Sequence, residues 1–186
     1  MNLKCDYGMN STLASGGCGA FVTKPSGISS WENKLANRNY TFSSRSGSQD
    51  CAFFIQNKPA YALEKGDQLS PLDLDLNNYF FVLVMPQVQV STAEAYGGVR
   101  VSQNDMPLTE LIKLPIAKWK FHIKNDFEPS VFSKYPVIAQ IKDSLYESGA
   151  LYASMSGSGS SVYGIFNEPT KLPQLEKDNK VFYVAN

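Results

Sequence analysis

The stretch Met155-Ser156-Gly157-Ser158-Gly159-Ser160-Ser161 lies between two apolar runs, LYAS (151–154) and VYGIF (162–166). Two glycines two apart let a backbone approach a ligand closely, and serines at 156, 158, 160 and 161 add hydroxyl donors. Such a loop can present N–H groups to a phosphate, although a flexible hairpin tip uses the same residue types. A second segment is VSTAEAY (90–96). Ser91-Thr92-Ala93-Glu94 has capping-box spacing, which predicts a short helix starting at Ser91 and fading by Gly97-Gly98. Free N–H groups at a helix start favour anions, and Tyr96, one turn in, either offers its ring to a planar ligand or belongs to the core. Third comes Asp50, after Gly47-Ser48-Gln49 and at the mouth of the apolar run CAFFIQ (51–56). That carboxylate suits a general base or a turn cap. In the fourth cluster, Asn125-Asp126-Phe127-Glu128, Asn125 or Asp126 is expected to cap the helix that follows.

Other chemistries are excluded by what is scarce. His122 is the single histidine, so a Ser-His-Asp triad has only that residue to use. The cysteines at 5, 18 and 51 fit no zinc pattern, no metal site is expected, and their odd number argues against a disulfide framework. The thiols read as reduced and the protein as cytoplasmic. With 17 Lys+Arg against 17 Asp+Glu the chain lacks the basic excess of a phosphate-tracking nucleic-acid binder. Its longest apolar run, Tyr79–Pro86, is far too short for a bilayer span, and MNLKCDYGMN has no secretory pattern, so neither nucleic acid nor membrane is an expected partner.

These segments need elements to hold them. Residues 1–50 draw 20 of 50 positions from Ser, Gly and Asn and sustain no apolar period, so residues 1–46 are expected to be poorly ordered. From Cys51 the chain turns structured: CAFFIQ predicts a buried strand, and NKPAYALEKGDQLSPLDLDL predicts turn, short strand, turn. YFFVLVMP (79–86) predicts a central strand. Helical spacing over Leu108–Trp119 is broken by Pro115, and helices are expected over Asp126–Tyr135 and Pro136–Ser148, the second stopped by Gly149. Strands over 151–156 and 161–166 should pair as an antiparallel hairpin, followed by a short helix near Lys171–Lys177 and a last strand, KVFYVAN. Residues 79–186 thus read as the split β-α-β order of a ferredoxin-like α+β sandwich, with helices on one face of an antiparallel sheet.

Taken in order, the segments resemble a known family. MSGSGSSVYGIF (155–166) resembles the third signature motif of the GHMP small-molecule kinases. PQVQVSTAEAY (86–96) narrows the likeness to the kinases of 4-diphosphocytidyl-2-C-methyl-D-erythritol (CDP-methylerythritol), which residues 50–72 and 125–166 also resemble. The likeness covers about three quarters of the chain, from Asp50 on. It implies an α+β fold of GHMP-kinase type, with a ferredoxin-like C-terminal domain at 79–186 and a partial N-terminal domain at 1–78. It also implies an activity: phosphorylation of the 2-hydroxyl of CDP-methylerythritol, with ATP and Mg²⁺ as cofactors. By the resemblance Asp50 is the catalytic base, Thr92 contacts the substrate and Tyr96 stacks on cytosine. Ser156, Gly157, Ser158, Gly159 and Ser160 form the third-motif loop beside the phosphates.

The sequence also departs from that family. The strand carrying the first motif is absent, LASGGCGAF (13–21) only faintly resembles the ATP loop, and Gln49 is inserted before Asp50. These departures imply a truncated, locally frame-shifted N-terminal reading and impaired turnover. Two alternatives stay open: a catalytically inactive binding-only fragment, and a GHMP kinase for a homoserine- or mevalonate-like alcohol.

Overall fold

The structure, a computed structural model, describes residues 19–21, 59–63, 68–100 and 106–185. Asp50, the CAFFIQ strand and the ordering of 1–46 lie outside the described residues. In chain order the elements are β1 (Gly19–Phe21), β2 (Ala60–Leu63), β3 (Gln68–Pro71), β4 (Phe80–Pro86), α1 (Thr92–Gly98), α2 (Leu108–Leu111) and α3 (Ile116–His122). They continue with α4 (Glu128–Lys134), α5 (Pro136–Glu147), β5 (Tyr152–Met155), β6 (Val162–Phe166), α6 (Pro173–Glu176) and β7 (Asn179–Ala185).

The antiparallel sheet β5-β6-β4-β7 carries the second half of the chain. Its central strand β4 is the apolar run that the sequence marks, with Val82, Leu83 and Val84 buried. Two neighbours that are distant in sequence flank it: Val84 lies opposite Val162 on one side and Val181 on the other. The β5–β6 hairpin forms in the expected register, with Met155 opposite Val162 and the Gly/Ser stretch as its turn. A smaller antiparallel sheet, β1-β2-β3, comes before these elements in the chain. There the sequence predicts one strand and the structure has two, paired from Ala60↔Pro71 to Leu63↔Gln68.

Side-chain alternation sends Val82, Val84, Ala153, Met155, Val162 and Phe166 to one face of the larger sheet. They pack there against Ala95, Phe127, Val131 and the α5 stripe Ile138, Ile141 and Leu145. Each of those three α5 side chains contributes about 1.5–3 kcal/mol through its burial. Pro136 opens α5 without losing a needed N–H, and the chain beyond it is closed by Gly149 N–H to Tyr146 O and Ala150 N–H to Leu145 O.

The expectation of helices on one face is corrected. Tyr152 and Ile165 point to the opposite face, where α2 and α3 cover them through Leu108, Leu111, Ile112, Ile116, Trp119 and Ile123. The Trp119 ring meets Tyr152 edge-on at 5.7 Å and donates its indole N–H to Leu114 O. Pro115 is the reason α2 and α3 are separate helices: it ends one turn and sits as the N-cap of the next.

Candidate functional site

Among the described residues strand β5 is an edge of its sheet, so one row of its backbone groups has no strand partner there. Side chains from α4, α5 and the turn before α4 take that row. Tyr146 Oη–H donates to Ala153 O, and Glu128 Oε1 accepts the Met155 N–H at 2.9 Å and the Ser154 hydroxyl at 3.2 Å. Glu128 Oε2 in turn holds Lys142 Nζ at 2.6 Å, so the buried carboxylate is both paired and hydrogen-bonded. The edge strand leading into the Gly/Ser loop is therefore fixed by charge and hydrogen bonds.

The loop itself is short and closed at its base. Ser156 N–H donates to Ser161 O, and Gly159 N–H donates back to Ser156 O. Gly157 and Gly159 take φ of +56° and +89°, the left-handed region that glycine enters without steric cost. A Cβ on Gly159 would also stand 2.7 Å from Met155 Sδ. Among the described residues, no hydrogen bond is made by the N–H groups of Gly157, Ser158 and Ser160. Unpaired backbone N–H groups beside left-handed glycines are the donors from which anion-binding sites are built.

Asn125 anchors this loop from below. It is buried, and its Nδ2 donates to Met155 O at 2.8 Å and to Gly157 O at 2.7 Å. Its Oδ1 accepts the Phe127 N–H at 3.0 Å, a local turn just before α4. The cap expected of Asn125 or Asp126 is thus corrected: the N-cap of α4 is Phe127, and the Asn125 amide spends its two donors on the loop.

The buried Phe127 ring meets Tyr96 edge-on at 4.9 Å, while Tyr96 stays 54% exposed. Helix α1 starts where the sequence places it, but the capping box does not form, because Ser91 makes no side-chain cap bond. Glu94 turns away from the helix start and accepts Lys134 Nζ at 3.0 Å and the Tyr135 hydroxyl at 3.1 Å, tying α1 to α4. Those two hydrogen bonds hold the Glu94 carboxyl below its ordinary value. Thr92, in the first turn of α1, is exposed.

The structure therefore gathers Tyr96 and the 156–160 loop around the turn at Asn125–Phe127. Asp50 lies outside the described residues. The sequence reading missed the roles of Asn125, Phe127 and Glu128. The only signal for them was the NDFE cluster, and it pointed to a local cap. An open groove of about 400 Å³ between the end of β4, α5 and the start of β7 holds none of the candidate residues. Among the described residues no group of three or more His, Cys, Asp or Glu could hold a metal ion, and no helix is long and apolar enough to cross a membrane.

Residues 116–182 match the family model described as GHMP kinases C terminal. With the ferredoxin-like strand order and the anchored Gly/Ser turn, this defines the class of the domain: the chain carries a GHMP kinase C-terminal domain. More narrowly, the chain is similar to proteins named 4-diphosphocytidyl-2-C-methyl-D-erythritol kinase. It is 54% identical over 125 residues to that of Parabacteroides distasonis, a match of 67% of this chain and 46% of that protein. To that of Bacteroides fragilis it is 50% identical over 127 residues, 68% of this chain and 46% of that protein. A solved 4-(cytidine 5'-diphospho)-2C-methyl-D-erythritol kinase shares the fold, with a TM-score of 0.60 at 24% identity over 74% of this chain and 52% of its own. The chain spans about half the length of the curated relatives it matches.

Proposed function

We propose that this chain supplies the substrate-binding part of a kinase that transfers the γ-phosphoryl group of ATP to the 2-hydroxyl of CDP-methylerythritol. The observation that carries this reading is the pairing of an exposed aromatic ring with a Gly/Ser loop whose N–H groups are unpaired among the described residues, in a chain that is 54% identical over 125 residues to a kinase named for that substrate. A cytidine diphosphate offers one flat ring and one short anion, and those are the two chemistries the site presents. Tyr96 takes the cytosine ring on its open face. The unpaired N–H groups of Gly157, Ser158 and Ser160 face phosphate oxygens, where hydrogen bonds to a charged acceptor are the strong kind. Thr92 contacts the substrate from the start of α1.

Asp50 is the proposed base. Its carboxylate accepts the proton of the 2-hydroxyl as that oxygen is phosphorylated. ATP brings the phosphoryl group, and Mg²⁺ accompanies it as counter-charge; no described residue is assigned to the metal. The setting proposed is the cytoplasm, in the non-mevalonate branch of isoprenoid synthesis. Residues 1–78 are proposed as a partial N-terminal domain and 79–186 as the C-terminal one. An aliphatic alcohol such as a homoserine- or mevalonate-like substrate gives the exposed Tyr96 ring nothing to stack on.

Turnover tests the reading. A chain in which a family-like segment replaces residues 1–48 and Gln49 is removed should phosphorylate CDP-methylerythritol, and Asp50→Asn in that chain should abolish the reaction. Turnover that is indifferent to Asp50→Asn would overturn the assignment.

A further inference from the structure

The loop and the aromatic platform are controlled by one turn of three residues. A trans peptide unit is planar, with its C=O and N–H pointing in opposite directions. Anchoring Gly157 O on Asn125 Nδ2 therefore aims the Ser158 N–H away from Asn125, out of the loop, where it meets no partner among the described residues. Anchoring Met155 O on the same Nδ2 aims the Ser156 N–H toward Ser161 O, which closes the base of the loop. The third bond of the same side chain, from Phe127 N–H to Oδ1, fixes the backbone of the residue whose ring meets Tyr96 edge-on with 74° between planes. Phe127 is itself packed in the core with Val131 and Ile138, so the Tyr96 ring rests on a close-packed wall.

We propose that Asn125 and Phe127 are positioning residues that join the two halves of the ligand site: Asn125 aims the Ser158 N–H at a diphosphate, and Phe127 sets the plane of the Tyr96 ring for a base. This deepens the proposed function and rests on its assignment of Tyr96 and the loop to ligand. The division of labour is testable because each residue governs a different part of the same ligand. The diphosphate can come from the cytidine substrate or from the adenine nucleotide, and the chemistry at the loop is the same for both.

The test is an NMR titration of the full chain with cytidine, CDP, adenosine and ADP, comparing wild type with Asn125→Ser and Phe127→Leu. The diphosphate increment is the ratio of nucleoside Kd to nucleotide Kd. In the wild type, an increment of about tenfold or more is expected in at least one arm, the size of one hydrogen bond to a charged group. Asn125→Ser keeps a hydroxyl that can accept the Phe127 N–H but has no amide to reach Met155 O and Gly157 O, so it should take that increment close to one and leave nucleoside affinity unchanged. Phe127→Leu should weaken cytidine several-fold and keep the increment; it carries the test by itself if Asn125→Ser does not fold. The arm that loses its increment identifies the source of the diphosphate. An increment unchanged by Asn125→Ser in both arms, cytidine affinity unchanged by Phe127→Leu, or equal weakening of nucleoside and nucleotide in either variant would overturn the inference. A wild type that binds ADP but neither cytidine nor CDP would overturn the cytidine reading alone, with Asn125 then judged on the adenine arm. Binding of none of the four would overturn both.

Discussion

Truncating Glu128 to alanine should be among the most damaging single changes in the second half of the chain. The side chain is 10% exposed and receives three donors: the Met155 amide, the Ser154 hydroxyl and the Lys142 ammonium. Alanine strands the Met155 amide, removes the partner of Lys142, and leaves the Ser154 hydroxyl only the longer bond to Met155 O at 3.3 Å. An unpaired buried donor costs about 1–3 kcal/mol, and removing one partner of a shielded ion pair about 3–5 kcal/mol. These terms overlap, because Lys142 can swing toward water, so the expected loss is about 3–5 kcal/mol in total. For a chain of this size that is a fall in Tm of about 6–20 °C. Glu128→Gln keeps an oxygen for the Met155 N–H and loses the charge, so about 1–2 kcal/mol is expected. Lys142→Met leaves a carboxylate that still holds two hydrogen bonds, and should fall between the other two variants. Urea melts followed by circular dichroism measure all three. A Glu128→Ala loss below about 1 kcal/mol would refute the argument that this carboxylate seals the β5 edge, and so would a Glu128→Gln loss equal to that of alanine.

Further outcomes follow from the loop, the α1–α4 tie and the buried phenol. Gly159→Ala forces a side chain into φ +89° and against Met155 Sδ, and should cost about 1–2 kcal/mol in the same melts; a neutral result would contradict the loop geometry. The lowered Glu94 pKa, set by the Lys134 and Tyr135 hydrogen bonds, gives a contribution that is complete above the ordinary carboxylate value of about 4.3. That contribution fades as pH falls through the lowered value, and Glu94→Gln should flatten this part of the acid limb of a stability–pH curve. Burial raises the Tyr152 phenol well above its ordinary value, so the fold favours its neutral form: its contribution holds below about pH 10 and is lost as pH rises beyond. Phenolate absorbance of this residue, read as the difference from Tyr152→Phe, should appear only with unfolding. A gradual rise in the folded protein would count against it.

The strand and helix plan was legible where local chemistry decides it. An unbroken β-branched run made β4, Pro115 divided α2 from α3, and Gly/Ser between apolar runs made the β5–β6 turn. Two features were not legible, each for a physical reason. Glu94 has capping-box spacing, yet its partners are Lys134 and Tyr135, 40 and 41 residues away, and a charged donor outcompetes a helix N–H. Asn125 sits where a cap is expected, but its amide is used by carbonyls 30 and 32 residues later. Only the packing of α4 against the hairpin brings them within reach. The second covered face was hidden for a similar reason: nothing in Tyr152 or Ile165 alone says that α2 and α3 fold back across the sheet. Of the candidate site, the types at Tyr96 and 156–160 were readable, and the turn that unites them was not.

The central claim is that Tyr96 and the Gly/Ser turn form one binding site for a cytidine diphosphate-linked alcohol. The most direct measurement is a titration of the isotope-labelled chain with CDP-methylerythritol, read at every backbone amide and at the tyrosine rings. The account predicts that the Tyr96 ring and the amides of Gly157, Ser158 and Ser160 shift together along one saturation curve. Shifts confined to the groove around Gln140, Ser144 and Asn179, or a Tyr96 ring and loop that saturate at different concentrations, would contradict it.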